Sequence, residues 1–127
     1  MSLSQMDRAS RGRLSQASGV GAEEAACTAL VGEGWTVLGR RLRTEAGEVD
    51  VAAEKDGLLA IIEVKHRQTL AGAAHALTRR QQMRLLAAAE ILLAENPGWG
   101  QAGVRFDVVL VDHMGAARRI ADAFRLE

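Results

Sequence analysis

Gly47–Lys65 reads GEVDVAAEKDGLLAIIEVK, and its centre decides the fold. Asp56-Gly57 favours a two-residue turn with both residues at positive φ, which joins antiparallel strands. The flanks AGEVDVAAE and GLLAIIEVKHR are therefore read as the two strands of a hairpin. With Asp56 and Gly57 at the tip, Lys55 faces Leu58. Counting outward then brings Asp50 opposite Glu63. Directly opposed side chains have Cβ atoms about 5 Å apart on one face. Lys65 lies two residues beyond Glu63 and shares that face. A turn longer by one residue would undo the alignment.

The rest of the chain is arranged around this hairpin. GAEEAACTALV, residues 21–31, reads as a helix with Ala26, Cys27, Leu30 and Val31 on one apolar stripe. Gly32 and Gly34 end it. WTVLGRRLRT follows as a first strand, with Trp35, Val37 and Leu38 as its inward residues. After the hairpin and the loop QTLAGAAHA, residues 78–95 read as a long helix. Thr78 with Gln81 has the pattern of a capping box, and Asn96-Pro97-Gly98 ends the helix. VRFDVVLVD is a last strand, and the segment after it is a short strand or a helical tail. The order helix, three strands, helix, strand predicts an α+β mixed sheet flanked by helices. One domain is expected over 19–127, preceded by a flexible arm over 1–18.

Composition narrows the function. The formal net charge is zero, so any contact with a polyanion requires a local basic patch. A single cysteine, Cys27, excludes an intramolecular disulfide, and no Cys/His cluster points to zinc. No apolar run approaches the roughly 18 residues of a membrane span, and the first 20 residues lack an apolar signal core. A cytoplasmic protein without a membrane partner is expected. Of 16 basic residues only Lys55 and Lys65 are lysines. A lysine within an apolar strand of an arginine-using chain is therefore a pointed choice.

Asp50, Glu63 and Lys65 form the candidate catalytic set. Two facing carboxylates repel in a drier environment, and a divalent cation removes that cost. Mg²⁺ and Mn²⁺ are hard ions that take carboxylates, water and phosphate oxygens. Lysine beside them supplies a compact charge for positioning water or stabilising a phosphate. Glu23 lies in the middle of the first helix's apolar stripe and is a candidate third acid. Glu48, two residues before Asp50, is read as supporting. The competing reading is an ion network that only sets the hairpin register.

AEEAACTALVGEGW, GEVD, IIEVKHR, the helix after Thr78 and RFDVV, taken in order, resemble the YraN-like family of bacterial proteins. That family is similar to the restriction-endonuclease and Holliday-junction-resolvase fold with its PD-(D/E)XK signature. The resemblance spans about residues 19–124. It implies an αβββαβ core and a Mg²⁺- or Mn²⁺-dependent endonuclease acting on DNA, branched or repair DNA included. It places Asp50, Glu63 and Glu23 at metal positions, Lys65 at the catalytic lysine, and Gln81 at a supporting helix position. A nuclease-like fold does not by itself establish cleavage. A non-catalytic nucleic-acid-binding or protein-interaction module is the alternative. Resolvases act as symmetric dimers, but no dimer face stands out in these residues.

Arg41, Arg43, Arg67, Arg79, Arg80 and Arg84 are the candidate nucleic-acid-binding residues. Arg79 and Arg80 stand where a helix dipole disfavours cations and its N–H groups favour anions. Arg118 and Arg119 read as polar surface. Arg105 and Asp107 read as a structural pair within the last strand. His66 points away from Glu63 and Lys65, and neither it nor His75 is read as catalytic. Aromatic residues are 3% of the chain with no tyrosine, so stacking platforms for bases are scarce and backbone contacts are expected to dominate.

Overall fold

A computed structural model describes residues 18–67 and 77–124. The expected arm up to residue 17, the loop at 68–76 with His75, and residues 125–127 lie outside the described residues. The elements run α1 (Ser18–Gly32), β1 (Thr36–Thr44), β2 (Gly47–Lys55), β3 (Leu58–His66), α2 (Arg79–Glu95), β4 (Gly103–Val111) and β5 (Ala117–Ile120). The five strands form one sheet in the order β1-β2-β3-β4-β5. Only the β3–β4 pair is parallel. This is the α+β mixed sheet with flanking helices that the pattern predicts. The open tail resolves as strand β5.

The hairpin register is the one the Asp-Gly turn dictates. Asp56 and Gly57 have φ of 52° and 81°, the left-handed pair a tight hairpin needs. Lys55 pairs with Leu58, and the ladder continues to Val51 with Ile62. α2 starts at a true capping box. Thr78 Oγ1 accepts the Gln81 N–H at 3.1 Å, and Gln81 Oε1 accepts the Thr78 N–H at 2.9 Å. α1 begins at Ser18, about a turn earlier than its apolar stripe suggests.

Side chains alternate along β3 into two cores. Ala60 and Ile62 pack with Ala22, Ala26 and Leu30 of α1, and with Val109 and Val111 of β4. Leu59 and Ile61 pack with Leu85, Ala88, Ala89 and Leu92 of α2. β3 is thus covered on both faces, which is why LLAII is a continuous apolar run and not an alternating one. The many alanines in both layers let the helices lie close to the sheet.

The β1–β2 ladder shifts register between Val37 and Gly39, and within β2 the alternation of faces breaks around Asp50. Val51 and Ala53 join the α1 core, yet Val49 joins the α2 core beside Ala52. The slip spans Asp50. Opposite it, Arg41 of β1 has φ of 50°, and the ladder passes from Arg40↔Val51 to Leu42↔Val49 around it. A non-glycine residue at positive φ inside a strand is an uncommon, costly conformation that re-aims neighbouring side chains. It coincides with the carboxylate singled out from sequence.

Candidate active site

Glu63 occupies the end of the apolar run in the sheet's central strand and is 5% exposed. The strand alternation turns it toward α2, on the same side as Ile61. Asp50 stands one residue beyond the last rung of the hairpin, Val51 with Ile62. Its Oδ2 accepts the Val64 N–H at 2.8 Å, so its carboxylate takes over a donor that the β2 backbone would otherwise satisfy. Lys65 Nζ lies 3.7 Å from Glu63 Oε2, with only 16% of its side chain exposed. The structure thus brings Asp50, Glu63 and Lys65 together.

Burial, followed by the hydrogen-bonded contact with Glu63, pushes the Asp50 carboxyl up to about 7. The Val64 N–H and the Arg84 guanidinium act in the opposite direction without cancelling it. Two carboxyls in contact near neutral pH need either a shared proton or a cation. Carboxylate oxygens are the donor type that Mg²⁺ or Mn²⁺ prefers, and Asp50 and Glu63 are the residues that could hold such an ion.

This shift has a pH consequence. Folded Asp50 keeps its proton where the unfolded chain, at the ordinary 3.8, has lost it. Between those values the native state binds more protons, so Asp50 erodes stability as pH rises from about 4 to about 7. Asp50→Asn is expected to remove that part of the decline. Melting curves of the metal-free proteins should show the variant gaining on wild type between about pH 4 and 7. Parallel pH profiles would contradict the shift.

The remaining candidates fall in different places. Glu23 is buried at 7% exposure, but its Oε1 accepts from Arg41 Nε at 2.9 Å. Among the described residues no three His, Cys, Asp or Glu side chains gather to hold an ion. Glu23 is therefore tied to the site through Arg41, which also feels Glu48 and Asp50, and does not stand as a direct third ligand. The Glu48 carboxylate sits 3.7 Å from Arg43, at the exposed edge. Gln81 is engaged in the capping box, so its side chain serves the start of α2 and not the carboxylate pair.

Of the proposed basic surface, Arg67, Arg79 and Arg80 are exposed. Arg67 also donates to the His66 carbonyl at 2.8 Å. Arg41 and Arg43 carry acidic partners, and Arg84 turns inward. Arg84 Nη2 reaches Glu63 Oε2 at 2.8 Å, and Nη1 reaches the Glu48 carbonyl at 3.0 Å. The sequence placed Arg84 on the phosphate surface and did not anticipate this clamp. Its signal was available, since Arg84 and Leu85 are adjacent on α2 and Leu85 is fully buried against β2 and β3.

The sequence also undervalued Arg119. Asp107, 1% exposed, accepts from Arg105 Nε at 2.8 Å, from Arg119 Nη1 at 3.3 Å and from the Asp122 N–H at 2.8 Å. Arg105 and Arg119 both lie over the buried Trp35 ring, 5.3 and 5.5 Å from its centroid. Arg119 is thus a structural cation and not merely polar surface. Asp107 shares the α1-side face with Val109 and Val111, across the sheet from Glu63.

Fold and site together define an α+β protein with a half-buried carboxylate pair and an in-phase lysine at the end of its central hairpin. Residues 22–111 match the uncharacterised protein family UPF0102. The chain belongs to that family, the one its YraN-like motifs resemble. A UPF0102 protein of Granulibacter bethesdensis is 58% identical over 92% of this chain and 74% of its own length. One from Azorhizobium caulinodans is 43% identical over 92% of this chain and 89% of its own. A Rhodopseudomonas palustris relative is 40% identical over 84% and 82%. No helix among the described residues is long and apolar enough to cross a membrane.

Proposed function

We propose that this protein is a Mg²⁺- or Mn²⁺-dependent phosphodiesterase of the PD-(D/E)XK kind that cleaves DNA. The observation that carries this reading is the contact of Asp50 with Glu63, with Lys65 Nζ 3.7 Å from the same glutamate. A divalent ion held by the two carboxylates would supply Lewis-acid stabilisation of the charge on the scissile phosphate. Asp50 is aimed by the Val64 N–H, so its carboxylate costs little reorganisation when it engages. Glu63, fixed in the central strand, provides the second oxygen donor. Lys65 orients the attacking water and meets the phosphate's negative charge. Exposed Arg67, Arg79 and Arg80 supply backbone contacts that position the strand without reading its sequence.

A second reading rests on the Arg84–Glu63 ion pair at 2.8 Å, which compensates the site's charge without any metal. On that reading the protein binds DNA and does not turn it over. Linear, nicked and four-way DNA incubated with Mg²⁺ or Mn²⁺ separates the two. Cleavage by wild type that disappears in both Asp50→Asn and Glu63→Gln is the expected result. Shifted but uncut DNA with wild type would leave only the binding reading, and cleavage equal in all three proteins would exclude this site.

A further inference from the structure

Glu63 Oε2 is the most heavily compensated oxygen of the carboxylate pair. Arg84 Nη2 is 2.8 Å from it and Lys65 Nζ is 3.7 Å away. The route Arg84 takes is built into the chain. A Cβ on Gly47 would stand 2.8 Å from Arg84 Cδ and 3.0 Å from Cγ, so the arginine stem crosses β2 through space that a larger residue would fill. Gly47 also has φ of 133°, a conformation open to glycine. The Glu48 carbonyl then holds Nη1 at 3.0 Å and does so independently of Glu63. The side chain is one-third exposed, 33%, so solvent reaches Arg84 beside the buried Glu63.

A guanidinium and a divalent cation cannot both sit against one carboxylate oxygen without strong repulsion. We propose that Arg84 is an internal counter-ion that holds Glu63 in the metal-free protein and must release it when the divalent cation enters. Arg84 thereby lowers the apparent metal affinity of the site and keeps the carboxylate pair ordered while the site waits for its ion. This rests on the metal site described under the proposed function. It assigns Arg84 a role opposite to that of a ligand: the residue competes with the ion. By linkage, whatever draws Arg84 off Glu63 tightens metal binding, because a species bound to one state shifts the equilibrium of the other.

Calorimetric titration of Mn²⁺ into wild type, Arg84→Met, Arg84→Lys and Glu63→Gln tests this, with melting curves taken in parallel. Arg84→Met is expected to bind Mn²⁺ at least about tenfold more tightly, the equivalent of one charge-assisted hydrogen bond removed from the competing state. It should also melt lower without metal and gain more from Mn²⁺ than wild type does. Arg84→Lys keeps the charge but loses the two-point fork, so its affinity should fall between the two; it serves where the methionine variant folds poorly. Wild-type binding that is equal or stronger than in both variants would overturn the counter-ion role and leave the metal site standing. Absence of Mn²⁺ binding from all four proteins would overturn the metal site, and this role with it.

Discussion

Lys65→Ala is expected to lower metal-dependent DNA cleavage by about 100-fold or more, as removal of one preorganised charge at a developing oxyanion commonly does. On the proposed mechanism the ammonium stands beside a metal-holding carboxylate. It shares the face of Glu63 by strand alternation, its side chain is 16% exposed, and it reaches within 3.7 Å of Glu63 Oε2. Removing it takes a cation, not a donor oxygen, from the site. Mn²⁺ affinity should therefore stay the same or rise. That separates a role in catalysis from a role in holding the metal. Arginine should not rescue, because its broad planar fork cannot replace a compact ammonium beside Glu63. Turnover on metal-saturated protein, with a Mn²⁺ titration of the same sample, makes the measurement. Unchanged turnover in Lys65→Ala would remove the lysine from the mechanism.

Asp107→Ala is expected to cost about 3–5 kcal/mol of folding stability, the loss typical of breaking a buried ion pair from one side. For a domain of this size that is roughly 10–20 °C in melting temperature. Asp107 receives four donors: both Arg105 contacts at 2.8 and 2.9 Å, Arg119 at 3.3 Å and the Asp122 N–H at 2.8 Å. Its loss leaves two partly buried guanidiniums without their common acceptor. Arg119 retains Glu33 at 2.7 Å, which limits but does not offset the loss. The stacking of both arginines over Trp35 would loosen as well, so β4, β5 and the end of α1 lose a shared anchor. Asp107→Asn keeps some acceptor capacity and should cost less. Denaturant unfolding showing under about 1 kcal/mol for the alanine variant would contradict the network's importance. The carboxylate site lies across the sheet, so Mn²⁺ binding by the folded fraction should persist.

The hairpin was legible because its determinants are local. Asp56-Gly57 accepts two positive φ angles, and the apolar run on either side leaves one register that buries its residues. The capping box at Thr78 and Gln81 was legible for the same reason. The family resemblance, and not this local signal, suggested a site role for Gln81. Spacing from Thr78 already accounts for the side chain, and a motif position on the following helix made it look available to the site.

Glu23 shows the limit of a helical wheel. Its place on the apolar stripe correctly marked it as buried. Which cation meets it depended on Arg41, 18 residues away in sequence, and on that residue's positive φ, which no periodicity announces. Asp107 was read correctly as paired with Arg105 because the two are neighbours on one strand face. Arg119 was missed because β5 reaches Asp107 only after the sheet has formed.

The sequence alone determined the turn, the hairpin register from Lys55–Leu58 to Val51–Ile62, and the phase of Lys65 with Glu63, since each follows from short-range geometry. Tertiary structure alone decided what surrounds that pair. Packing Leu85 of α2 against β2 and β3 carries Arg84 over Gly47 and onto Glu63. The slip in β2 turns the Asp50 carboxylate onto the Val64 N–H. Burial of both acids by a sheet covered on two faces then raises the Asp50 carboxyl toward neutrality. Side-chain partners drawn from distant elements have no signature in local spacing, because they come together only when helices and sheet close around a common core.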